Sequence, residues 1–382
     1  MRIILAGVET NNKGAELMLY AILQEIERKF PKAIVYMIND IRQGRNYIES
    51  SIDLRPNPWI SFVKSCPISF CRKALKKLHI SDRWFEKDVH AYPFADYYLD
   101  ASGFAISDVW NETNEHANQF EKRIKNYSRL GTKIVFLPQA FGPIELQSTK
   151  KMMESLGRYA NFITARDETS LSYINSFNIP TQKIKLYPDF TSLVRGRIPE
   201  SYKHLEGGIC IIPNVRMIDM GTVSIDDYFK ILSSIIAKAR FAGKFVYLLN
   251  HEGKPDEDLC YEFKKHYGNE IEIVTGLNAL EVKGIISTAY LVVSSRFHGV
   301  VSSLNCGVPC LSTSWSHKYA ELYKDYGLDS LVLPLDNEEK ANRIVVKYLD
   351  ENVNKVTRQH LLEKVEVLKN QTVKMWNEIW TL

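Results

Sequence analysis

Apolar positions along the chain fall into short runs that alternate with helix-spaced runs. The first short run, RIILAG, ends at Gly7 and reads as a strand. A polar loop, VETNNKG, follows it. Then Leu17, Leu19, Ile22, Leu23, Ile26 and Phe30 recur at helical spacing, and AIVYMIN after Pro31 reads as a second strand. This strand–loop–helix–strand order builds parallel sheets. DYYLDASG, KIVFLPQAFGP, NFITA and IKLYPDF continue the strands, with a helix start in ARDETS.

Between Ser192 and Gly208 the pattern breaks into SLVRGRIPESYKHLEGG, polar, with a proline and two adjacent glycines, which reads as a linker. The alternation then resumes. GICIIPN, KFVYLLNH, IEIVTG, YLVVSS and VPCLSTS read as strands, with helical runs between them, and the tail from Asn337 to Leu382 reads as helical throughout. The expected organisation is α/β, with two Rossmann-like domains and a central cleft. They span residues 1–195 and 196–355, and a C-terminal helix, 356–382, packs back on the first. Ligand sites in such sheets gather at the carboxyl ends of the strands.

Composition narrows the class little further. Across 382 residues the apolar share is 45% and the charged share 25%, ordinary for a globular protein. The formal charge of +4 gives no reason to expect nucleic acid as a partner, but suits a small anionic substrate. Six cysteines occur, none in a C-x-x-C pair, and no His/Cys cluster has zinc spacing. The opening apolar run is too short for a signal peptide, and no run approaches a membrane span. The expected location is the cytoplasm, with reduced thiols.

The chemistry concentrates at strand ends. In SSRFHG, Arg296 presents five donors and a permanent charge suited to carboxylate or phosphate. His298 can give or take a proton near neutral pH. Were the stretch extended, residues two apart would face one ligand together. Gly299 lets a helix begin close by, with its N–H groups toward an anion. After the next strand come His317 and Lys318. Arg166 follows NFITA. Asn214 and Arg216 follow GICII, and His251 and Glu252 follow KFVYLL. Asp256 and Asp258 read as caps and first-turn acids of a helix. The opening loop has one glycine where a dinucleotide fingerprint needs three, so Asn11, Asn12 and Gly14 suit sugar hydroxyls instead. No G-x-S-x-G elbow, phosphate-loop lysine or H-E-x-x-H occurs, and metal catalysis has no sequence support.

GVETNNKGAELM, ARDETS, YPDF and above all SSRFHGVVSSLNCGVPCLSTSWSHKY resemble the polysaccharide pyruvyl transferase family. The resemblance runs from Gly7 to about Tyr319, and the R-x-H…G-V-P…K-Y spacing is its most specific part. It implies a GT-B-like fold, with phosphoenolpyruvate as co-substrate and no cofactor. Pyruvate would pass to a sugar of a cell-surface glycan, bridging two hydroxyls in ketal-forming members. On that reading His298 is the general acid. Arg296, Lys318, Arg216, Asn214, Arg166 and His317 bind the donor, and Asn11, Asn12, Gly14, Glu16 and His251 bind the acceptor. The chain departs from the family in carrying Ala15 before Glu16, where many relatives place an acid directly after the glycine. Two other readings stand beside it: a GT-B glycosyltransferase with a sugar-nucleotide donor, and a non-catalytic relative in glycan assembly.

One segment matches nothing in the family. Trp59 to Ile80 mixes aromatic and apolar residues with Lys64, Arg72, Lys73, Lys76 and Lys77, and holds no acid. It reads either as a solvated basic helix or as a surface meeting anionic membrane or a lipid-linked precursor.

Overall fold

The computed structural model describes residues 1–38, 50–56, 94–267, 270–313, 318–329 and 331–382, with the side chains of Pro56, His266, Tyr267 and Lys318 outside that description. The basic segment from Trp59 to Ile80, with Cys66 and Cys71, and His317 lie outside the described residues.

Two compact units divide the chain. The first comprises Met1–Glu9, Ile22–Tyr187 and Trp376–Leu382; the second comprises Thr10–Ala21 and Pro188–Met375. The first unit's main segment thus ends at Tyr187, ahead of residue 195, and the 192–208 stretch belongs to the second unit. That stretch is no free linker. Arg197 N–H donates to the Leu280 carbonyl at 2.9 Å. A Cβ on Gly196 would lie 2.3 Å from Gly284 N. Small and polar residues here allow close packing, a use that composition does not distinguish from a flexible connection.

Among its described residues the first unit holds a seven-stranded sheet in the order β3-β2-β1-β4-β5-β6-β7. The strands are β1 (Arg2–Ala6), β2 (Ile34–Met37), β3 (Asp53–Pro56), β4 (Tyr97–Asp100), β5 (Lys133–Gln139), β6 (Phe162–Ala165) and β7 (Ile184–Leu186). All pair in parallel. β3 was not apparent from the pattern, because DLRP is neither apolar nor alternating; it sits at the sheet edge, where proline is tolerated. The helices are α1 (Lys13–Lys29), α2 (Asn114–Arg129), α3 (Gln147–Tyr159) and α4 (Glu168–Asn175). Phe120 and Ile124 of α2 and Met153 and Leu156 of α3 bury against Ile4, Phe136 and Ile163 of the sheet. Each such side chain contributes about 1.5–3 kcal/mol when fully buried. Asp167 caps α4 by accepting from Ser170 N at 2.7 Å. At the carboxyl end of the chain, Trp376 and Trp380 stack at 5.5 Å, and the Trp380 indole N–H donates to Glu25 at 2.8 Å.

The second unit holds, among its described residues, a five-stranded parallel sheet in the order β10-β9-β8-β11-β12. Its strands are β8 (Ile209–Ile212), β9 (Val246–Leu249), β10 (Glu272–Val274), β11 (Leu291–Ser294) and β12 (Cys310–Ser312). Its helices are α5 (Arg216–Asp219), α6 (Ile225–Phe241), α7 (Gly253–Tyr267), α8 (Ala279–Thr288), α9 (Phe297–Asn305), α10 (Lys318–Asp325), α11 (Glu338–Leu349) and α12 (Glu351–Ile379). The tail is therefore two helices rather than one. Asp350 breaks them apart, its side chain accepting from Val353 N at 3.0 Å. β8, β9, β11 and β12 are buried throughout, as strands covered on both faces require, while the edge strand β10 is buried only at Val274.

Candidate functional site

Strand order reverses between β8 and β11, and in parallel α/β sheets ligands bind beyond the carboxyl ends of the strands at such a reversal. β8 leads to Asn214 and Arg216, and β11 leads to Arg296 and His298. A Cβ on Gly299 would lie 2.5 Å from Ser294 Oγ and 3.0 Å from Ile212 Cδ1, so only glycine lets α9 start this close to the sheet.

α9 begins at Phe297. Arg296 keeps an extended backbone as the residue before the helix, while His298 is already in its first turn. The two side chains therefore take different partners rather than projecting in parallel, as an extended stretch would require. The Arg296 guanidinium turns to acids. Its Nε and Nη2 donate to the two Asp256 oxygens at 2.7 and 2.6 Å, and its Nη1 meets Glu252. Asp256 is fully buried and also accepts from Val215 N at 3.0 Å, so it does more than open α7. Burial pushes the Asp256 carboxyl up to about 7 and the Arg296 guanidinium down to about 10. The bidentate pairing opposes both and holds the two groups charged.

His298 turns to Asp189. Its Nε2 lies 3.3 Å from Asp189 Oδ2, and both side chains are largely buried. Asp189 Oδ1 accepts from Thr191 N at 3.0 Å and from Thr191 Oγ1 at 2.6 Å. The other ring nitrogen of His298 lies against α1: a Cβ on Gly14 would sit 2.3 Å from His298 Nδ1. Gly14 thus supplies room for the imidazole rather than a polar contact.

Residues 10–16 close the site. Lys13 N–H donates to the His251 carbonyl at 3.3 Å, and Asn12 bridges to Glu252. His251 is buried, and its Nδ1 has no partner. Burial drives its pKa well below the ordinary histidine value, aided by the positive charges of Arg296, His298 and Lys13. Arg296, His298 and Lys13 thus each lie within electrostatic reach of His251. Lys13 Nζ donates to Glu16 at 2.7 Å and to the Thr10 carbonyl at 3.0 Å. Burial raises the Glu16 pKa, opposed by Lys13 and by the Ala279 N–H at the start of α8.

The remaining expected residues divide. Asn214 is buried. Its Nδ2 donates to the Ser295 carbonyl at 2.8 Å, and its Oδ1 accepts from Arg216 N at 2.9 Å. It therefore orders the loop, with one of its two amide N–H groups and one lone pair of Oδ1 engaged. Asn12 Oδ1 likewise caps α1, accepting from Gly14 N at 2.8 Å. Asn11 is exposed. Arg216 is half-exposed, with Asp219 at 3.8 Å, and is accessible to an anion. Arg166 lies in the first unit, buried at the end of β6, where its N–H donates to the Gln139 carbonyl. Lys318 opens α10.

A hydroxyl network sets the β11 loop. Tyr228 Oη lies 2.6 Å from Ser295 Oγ, which lies 2.5 Å from Thr313 Oγ1, and Tyr319 Oη donates to the Ser295 carbonyl at 2.8 Å. Sequence reasoning missed this network, Lys13, and the roles of Asp189 and Asp256. Asp189 stood inside the quoted YPDF, the one signal available for it. Among the described residues no group of three or more His, Cys, Asp or Glu could hold a metal.

Solved structures share the fold at low identity. The Anabaena protein Alr3699/HepE in complex with UDP and glucose aligns at TM-score 0.58 and 11% identity, over 100% of this chain and 98% of that one. S. aureus MnaA with UDP gives 0.60 and 12%, over 99% and 96%. The UDP-GlcNAc 2-epimerase of Neisseria meningitidis bound to UDP-GlcNAc gives 0.59 and 9%, over 100% of each chain. The fold is GT-B-like, with two α/β units and parallel sheets. No curated protein matches the chain significantly. The sequence profile of polysaccharide pyruvyl transferases matches residues 12–317, most of the chain and the whole span from Asn12 through His298, and the chain belongs to that family.

Proposed function

We propose that this protein transfers the pyruvyl group of phosphoenolpyruvate to two hydroxyls of a sugar in a cell-surface polysaccharide precursor. The product is a pyruvate ketal and inorganic phosphate. The observation that carries this reading is the convergence of Arg296, His298, His251 and Lys13 in one unit, with the His251 Nδ1 unpartnered. A ligand bearing both a carboxylate and a phosphate suits such a group.

His298 gives its proton to the methylene carbon of the enol. C2 becomes oxocarbenium-like, and a first sugar hydroxyl adds there and loses its proton. A second hydroxyl then displaces phosphate from C2, and the C2–O bond to phosphate breaks as the ring closes. A placed general acid contributes roughly a hundred- to ten-thousand-fold. Arg296 already carries two acids, so a donor anion enters by replacing Glu252, the more exposed of them, while Asp256 stays. Arg216 is assigned to the donor as well, and on the family resemblance so are Lys318 and His317. Asn11, Asn12 and Glu16 are assigned to the acceptor, while Gly14 serves by making room for His298.

Phosphate release and acceptor mass gain, measured with phosphoenolpyruvate and extracted lipid-linked glycan precursors, test the reaction. Turnover of sugar nucleotides with no acceptor-dependent phosphate release sinks it. His298→Ala abolishes turnover while donor binding by calorimetry survives; Arg296→Ala weakens that binding. The UDP complexes among the similar structures favour a second reading, a glycosyltransferase with a sugar-nucleotide donor. Calorimetric binding of UDP in place of phosphoenolpyruvate is its signature. Among the described residues no helix is long and apolar enough to cross a membrane. Peripheral contact at the inner face of the membrane through residues 59–80 predicts sedimentation with anionic liposomes that falls with salt.

A further inference from the structure

We infer that Asp189 and Lys283 form a buried support that fixes the imidazole of His298 and balances charge once its proton has gone. This rests on the reading of His298 as the acid. Lys283, on α8, is 2% exposed. A lysine is costly to bury unless paired and hydrogen-bonded, and nothing in the proposed reaction needs it to touch substrate. Its Nζ donates to the Thr191 carbonyl at 2.9 Å. Thr191 N and Oγ1 hold Asp189 Oδ1 at 3.0 and 2.6 Å, and Asp189 Oδ2 lies 3.3 Å from His298 Nε2. The chain of contacts is continuous from lysine to imidazole. Thr191 occupies one carboxylate oxygen, so Asp189 meets the ring with the other, as a close ion pair rather than a hydrogen bond.

The charge logic uses the same atoms. While His298 is protonated, Asp189 lies 3.3 Å from its imidazolium and in the field of the Lys283 ammonium, which bonds the Thr191 carbonyl. When His298 gives up its proton, the buried carboxylate would be left without a counter-charge were Lys283 absent, a costly state in a dry site. Lys283 also lies in the field of Cys306 and Lys369, and His298 in that of His251; none of these supplies a fixed anion that could replace Asp189.

Both are positioning residues, and the test separates them from simple structural ones. Asp189→Asn keeps the Thr191 contacts but loses the charge; kcat should fall about tenfold or more while donor Kd stays within about twofold. In Lys283→Met, Asp189 no longer shares its charge with the lysine, so His298 keeps its proton to higher pH. The alkaline limb of the rate profile should move upward, and Lys283→Arg should restore it. A Lys283→Met profile that only drops in height, or moves downward, overturns the proposal. Imidazole nitrogen chemical shifts, with His298→Ala identifying the signal, give a readout independent of activity. A changed Nε2 signal in Asp189→Asn supports the support chain even if no pyruvyl transfer is found. An unchanged signal overturns it whatever the reaction is.

Discussion

The two sheets reverse their strand order at comparable places, and the two places are built differently. In the first unit the reversal lies between β1 and β4. There Gly7, with φ +72°, lies so close to the next loop that an added Cβ would fall 2.4 Å from Ser102 N. Asp100 accepts from Ser102 N and Oγ at 3.0 and 2.6 Å, closing a local turn. In the second unit the reversal between β8 and β11 carries Arg296, His298 and their acids. One crevice is held by backbone approach, the other by paired charges. The topology supplies an edge; the residues set on it decide whether that edge does chemistry.

Substitutions at matched positions sharpen the contrast. Asp256→Ala should have the largest effect, removing the bidentate partner of a buried guanidinium at a cost of about 3 kcal/mol or more in denaturant unfolding. An unchanged midpoint would mean that Glu252 alone holds Arg296. Gly7→Ala comes next, at about 2–3 kcal/mol, since a positive φ and a backbone clash act together. Its activity per folded molecule should hold. Gly14→Ala reverses that pattern. Alanine suits a helix by up to about 1 kcal/mol over glycine, so stability changes little, but the displaced His298 ring should lower kcat by about a hundredfold. Equal loss of stability in the two glycine variants would erase the contrast.

The smallest effect is a pH dependence. Folded His251 stays neutral well below the ordinary histidine value. As pH falls below about 6.5, the unfolded chain takes up that proton first, so stability is lost on the acid side. His251→Gln should remove that loss, at most about 1.4 kcal/mol per pH unit. Unfolding midpoints at pH 7.5 and 5.5, compared between wild type and variant, check it.

The alternation of strands and helices was legible because a parallel sheet buried on both faces writes itself as apolar runs. β11 and its polar exit were legible for the same reason. The direction of Arg296 and His298 was not, since a helix starting at Phe297 rotates one against the other, and the start depends on Gly299 fitting beneath Ser294 and Ile212. Asp189 was invisible as a partner because its contact with His298 spans more than a hundred positions of chain. Asp256 looked like a helix cap because it does open α7; only burial reveals its second role. The 192–208 stretch misled because glycine and proline mark close packing as readily as freedom.

Residues Thr10–Ala21 group with Pro188–Met375, and this has a consequence for how the protein is made. Lys13, Gly14 and Glu16 leave the ribosome well ahead of their partners at His251, Ala279 and His298. The site therefore cannot close until most of the chain has been synthesised. A gene cut at Pro188 would give a carboxyl-terminal fragment whose His298 ring has no Gly14 to rest against. Supplying residues 10–21 as a separate peptide would be the way to restore it.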